Sequence, residues 1–114
     1  MRTFVVELGT GVDLHGRDAT AAAIKAVRNC FQHVSLPGLR TVAGLTDLSE
    51  MQIEVRLGVP SGLAPVDVDR VAAQFPYGRA TIQVEPGGLQ APGGGPNPDD
   101  TLVMVNAVLY VRVE

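Results

Sequence analysis

Several residue types are scarce in this sequence, and each shortage closes off a class of protein. Cys30 is the only cysteine, so an internal disulfide is excluded. It falls on the apolar stripe of a predicted helix with no activating neighbour in sequence, which reads as a buried core thiol. Lys25 is the only lysine and no glycine-rich run leads into it, so no Walker-type phosphate loop exists. Nine basic residues stand against twelve acidic ones, for a net charge of −3. That balance leaves no electrostatic footprint for nucleic acid and no basic face for anionic lipid. Neither a stretch of about twenty apolar residues nor a signal-peptide pattern occurs, so the expected location is cytoplasmic with no membrane partner.

What remains is a chain of 114 residues, 46% hydrophobic and 18% charged, the size and composition of one folded domain. Period-two alternation predicts four strands, at Arg2–Leu8, Met51–Val59, Ala80–Glu85 and Leu102–Val113. In the first, Phe4, Val6 and Leu8 are expected to face the core, with Thr3, Val5 and Glu7 opposite. Helical spacing of Ala23, Ile24, Val27, Cys30, Phe31 and Val34 predicts a helix over Thr20–Val34, capped by Asp18 or Thr20. A shorter one is predicted over Val66–Phe75, near Pro65. The order is β-α-β-α-β-β, an α+β sandwich: a four-stranded sheet with two helices on one face and the first strand inside the sheet. Its other face would carry Glu7, Glu54, Arg56 and Arg112 among polar residues interrupted by Val5, Met104 and Val108. A sheet covered on one side only is often completed by self-association, so a homo-oligomer is expected, a trimer or a multiple of dimers. The Gly87–Asp100 stretch, with five glycines and three prolines, reads as a mobile loop.

The segment Gly9-Thr10-Gly11-Val12-Asp13-Leu14-His15-Gly16, followed by Arg17-Asp18, is the strongest site candidate. It departs from a dinucleotide fingerprint, since Leu14 stands where a third small residue belongs and Asp13 would repel a phosphate. Asp13 and His15 project to the same side of an extended loop. Three roles stay open: a carboxylate orienting an acid–base imidazole, two ligands of a metal site needing a third from Asp18, His33 or another subunit, or a turn in which Asp13 caps backbone amides. Gly9 and Gly11 amides would add donors to a bound anion. Lys25 and Arg28 share a helix face three residues apart and read either as a solvated helix face or, with Arg40, as a candidate seat for a small anionic metabolite.

With these residues in place, the chain resembles a small conserved family of bacterial and plant hypothetical proteins marked by an N-terminal G-x-G-x-D-x-H-G motif. The resemblance rests on Gly9, Gly11, Asp13, His15 and Gly16, and continues through Asp18, Arg28, Pro37-Gly38-Leu39-Arg40 and Phe75-Pro76-Tyr77-Gly78. It implies the five motif positions as site residues; Asp18, Arg28 and Arg40 are added from their chemistry. The element order is also similar to the Bacillus-type chorismate mutases and YjgF-like deaminases, which are trimers with sites between subunits, although fold-level likeness carries little about reaction. Related ring-opening hydrolases use Ser–Lys pairs, and none can be placed here. Two expectations follow. One is a small-molecule enzyme of hydrolase, deaminase or isomerase type, with His15 as acid–base, Asp13 orienting it and no cofactor or metal called for, at a site between subunits. The other is a non-catalytic binding or structural subunit in which the motif is a stiff turn.

Overall fold

A computed structural model describes residues 2–31 and 50–113. The expected contributions of His33 and Arg40 lie outside the described residues. A mixed five-stranded sheet is built from β1 (Arg2–Asp13), β2 (Gln52–Val59), β3 (Arg79–Pro86), β4 (Leu89–Pro92) and β5 (Thr101–Val113), with helices α1 (Ala19–Phe31) and α2 (Val68–Ala72). The strand order is β1-β5-β2-β3, and β4 pairs with β5 where β2 has ended. β5 is antiparallel to β1, β2 and β4, while β2 and β3 run parallel. Parallel neighbours need a crossover, and α2 lies in the connection between them.

The long alternating pattern of β5 behaves as its sequence predicts. Val103, Val105, Ala107, Leu109, Val111 and Val113 are buried on one face, and Ile53, Val55, Leu57 and Val59 of β2 extend the same layer. From above, α1 contributes Ala22, Ala23, Ala26, Val27 and Cys30, and α2 adds Val71. Both helices feed this one core. Phe31 and Phe75 meet at its end with ring centroids 5.5 Å apart, a tilted aromatic pair.

Four expectations need correction. The first strand lies at the sheet edge, paired among the described residues only with β5, and runs on through both glycines to Asp13. Its facing is reversed as well. A bulge between Thr3 and Val5 resets the alternation, so Val5, Glu7, Gly9 and Gly11 point toward the helix layer while Val6 and Leu8 stand 50% and 73% exposed. A fifth strand, β4, occupies part of the presumed mobile loop. The second helix is one short turn and a half, Val68–Ala72, started by Asp67, whose carboxylate accepts from Arg70 N. Among the described residues no helix is long and apolar enough to cross a membrane.

Candidate functional site

The motif's two leading glycines are set by packing. On an ideal Cβ, residue 9 would sit 2.6 Å from Cys30 Sγ and closer still to the Ala26 carbonyl. At residue 11 the added atom would collide with the Ala22 carbonyl and the Ala26 amide nitrogen. The α1 backbone therefore lies directly on β1, an approach only glycine on the strand permits. The run Ala22, Ala23 and Ala26 supplies the matching small face on the helix. Thr10 N donates to Asn29 Oδ1 and Lys25 Nζ to Val12 O, fastening the same pair of elements from the outside.

Beyond β1 the chain turns sharply into α1, and Asp13 organises that turn. Its Oδ2 accepts from Gly16 N and from Asp18 N, each at 3.0 Å. Asp18 in turn caps α1 by accepting from Ala21 N at 3.0 Å, which satisfies one of the helix's unpaired leading amides. Gly16 leaves just enough room, since a Cβ there would lie 3.1 Å from Asp13 Oδ2. Arg17 takes a left-handed backbone with φ 51°, uncommon for a residue with a side chain. Loss of two accepted backbone bonds should make Asp13→Ala about 1–2 kcal/mol less stable. His15→Ala should stay within about 0.5 kcal/mol of the parent. Urea unfolding of the two variants checks the pair, and equal losses would contradict this division of roles.

His15 finds its partner elsewhere. Its Nδ1 lies 3.1 and 3.3 Å from the two oxygens of Asp100, at the foot of the β4–β5 hairpin. The imidazole is 75% exposed and the Asp100 side chain 22%. Asp100 is held by the hairpin itself, donating its amide to Asn97 O and accepting from Gly93 N. The glycine- and proline-rich segment thus supplies a charged partner from a position 85 residues away. Sequence spacing offered no signal for it. Among the described residues, no three histidine, cysteine or carboxylate groups gather as a metal site would require.

Arg28 projects from another side of α1, where its Nε donates to Gln74 Oε1 at 3.0 Å. The candidate residues therefore divide by place. Gly9 and Gly11 sit under the helix; Asp13, Gly16 and Asp18 form the turn; His15 reaches the hairpin; Arg28 faces α2.

One buried ionisable group escaped the sequence reading. Glu7 is only 8% exposed, and its Oε1 has no hydrogen-bond partner among the described residues. Burial pushes its carboxyl above the usual range. Burial, aided by the Glu7 charge, also pushes the Cys30 thiol up to about 12. With Sγ directed at the Ala107 carbonyl, Cys30 is an inert core residue at neutral pH.

An edge strand fastened to a helix through glycines, with one sheet face covered, defines the architecture, and sequence comparison places it. Residues 3–111 match the family described as conserved hypothetical protein (Lin0512_fam), and the chain belongs to that family. No curated protein matches it. Among solved structures it is similar to an FtsZ-like protein of unknown function from Nostoc punctiforme PCC 73102. That likeness has 37% identity and a TM-score of 0.84, over 99% of this chain and 97% of that one.

Proposed function

We propose that this chain is a homo-oligomeric small-molecule enzyme in which His15 moves a proton and Asp100 orients it. The observation that carries this reading is the contact of His15 Nδ1 with both Asp100 oxygens while the rest of the ring stands in solvent. A carboxylate at Nδ1 selects the tautomer with its proton there, leaving the Nε2 lone pair outward as a base. After proton uptake, the same carboxylate stabilises the imidazolium. Hydrolysis, deamination and isomerisation all use such a step. Asp13, which the sequence offered as the orienting group, has its Oδ2 committed to the turn.

A second copy of the chain would wall this exposed site. The uncovered sheet face supports such a copy, since Val6, Leu8 and Leu89 are exposed beside half-buried Met104, Val108 and Tyr110. Strands of these lengths give a face on the order of 700 Å², close to the ~800 Å² each partner contributes to a standard interface. Light scattering should report an oligomer at micromolar concentration, and Leu8→Glu should dissociate it. A monomeric parent would remove the assembly part of the reading.

The catalytic part is tested by incubating the parent and His15→Ala with a panel of small amides, lactams, amines and enolisable acids, followed by mass spectrometry. Product should form with the parent and fall at least ~100-fold in the variant. Turnover equal in both, or in neither, overturns it. The Asp13 turn and the packed glycines favour the other reading, a non-catalytic subunit, and that reading gains if no member of the panel is transformed.

A further inference from the structure

We propose that the furrow between α1 and α2 binds a small organic dianion, with two negative charges on oxygen carried by a short apolar body. The inference is independent of the His15 reading. The furrow has a volume of about 390 Å³ and is lined by Ala21, Ile24, Lys25 and Arg28 of α1 with Arg70, Ala73 and Gln74 from α2 and its end. The α1 residues fall on one face at intervals of three and four, so the stripe is continuous along the helix. Its lining combines apolar Ala21, Ile24 and Ala73 with three cationic side chains. That combination suits an amphipathic anion better than a bare inorganic one.

The charges are the unusual part. The chain carries a net −3, yet three of its nine cationic residues line this one furrow, and among the described residues no carboxylate lines it. On the uncovered sheet face the opposite holds, where Arg56 is paired with Glu85 and Arg112 with Glu54. Like charges gathered without counter-charges repel, and folding alone gives no reason to gather them. A dianion would supply the missing countercharge.

The furrow's walls are also held in place. Thr20 Oγ1 accepts from Asp67 N at 2.9 Å, tying α1 to the start of α2. Gln74 links both walls, accepting from Arg28 Nε through Oε1 and donating from Nε2 to Arg70 O. That contact uses Arg28 Nε, while its two Nη groups have no partner among the described residues. They remain to form the forked, charge-assisted bonds that guanidinium makes with carboxylate or phosphate. Lys25 Nζ, bound to Val12 O, has further donors and adds a point charge to the lining.

Calorimetric titration of the full chain at low salt, with phenyl phosphate, phthalate and neutral benzyl alcohol, tests the site. One or both dianions should bind saturably, while benzyl alcohol should not. Arg70→Gln, which disturbs no described side-chain contact, should weaken binding about tenfold, and so should Arg28→Gln. Raised salt should weaken the parent as well. Which dianion binds more tightly separates a phosphate ligand from a dicarboxylate. His15→Ala should bind like the parent, which keeps this test apart from the fate of the enzymatic reading. Absence of saturable binding by either dianion, undiminished binding by both arginine variants, or loss of binding in His15→Ala overturns the proposal.

Discussion

Gly11→Ala should destabilise the protein by about 3 kcal/mol, lowering Tm by roughly 10 °C. The added methyl meets backbone atoms of Ala22, Lys25 and Ala26 rather than the mobile end of a side chain. Relief requires the whole helix to lift from β1, which would open the core beneath Ala22 and Ala26. Gly62→Ala provides the contrast. Its φ of +83° strains any side chain, but nothing lies within 4 Å of the added atom, so about 1 kcal/mol is expected. Thermal melts of the two variants decide the matter. A Gly11→Ala protein as stable as Gly62→Ala would show that the strand–helix approach is looser than described.

The second large effect concerns Glu7. Its folded-state carboxyl is raised above the ordinary value of 4.5 by burial, so the native protein holds this proton to higher pH than the unfolded chain does. Stability from this group is therefore greatest below the unfolded value and is lost as pH rises through the folded one. Glu7→Gln, which keeps the shape and cannot ionise, should flatten that part of the stability curve. Glu7→Met, which also removes the unpartnered oxygen, should raise stability at neutral pH by about 1–3 kcal/mol. Chemical denaturation across the acid-to-neutral range measures both. A Glu7→Gln curve parallel to the parent's would mean that burial of the carboxylate costs nothing.

These two sites also explain where sequence reading failed. Alternation revealed β2 and β5 because every inward position carries an aliphatic group, large everywhere but at Ala107, and hydropathy and burial agree there. In β1 they disagree. The inward positions are Glu7, Gly9 and Gly11, the outward ones Val6 and Leu8, and a bulge shifts the phase as well. Glycine is buried here because a helix backbone touches it, a fact no hydropathy pattern carries. The local turn was legible, since an Asp followed three and five residues later by the amides it accepts lies within one short stretch. Asp100 was not, because its contact with His15 joins distant parts of the chain and its surroundings are dominated by glycine and proline. Arg70 was missed for another reason: a charge on a short helix reads as solvated until the facing helix is placed.

The edge position of β1 has a further consequence, for the order of events as the protein is made. β1 is made well before β5, which among the described residues is its one sheet partner, with Arg2 aligned to Val113 and Asp13 to Val103. Among the described residues, the strand therefore has no sheet partner until Thr101–Val113 has been synthesised. Its glycines can receive α1 at once, but that two-element unit has an open edge and exposes Val6 and Leu8. Pairing of strands so far apart in sequence is slow, because the loop must close before any contact rewards it. Translation thus passes through a long interval in which the part bearing Asp13 and His15 exists but His15 lacks Asp100. The arrangement at the loop comes into being only when β1 meets β5.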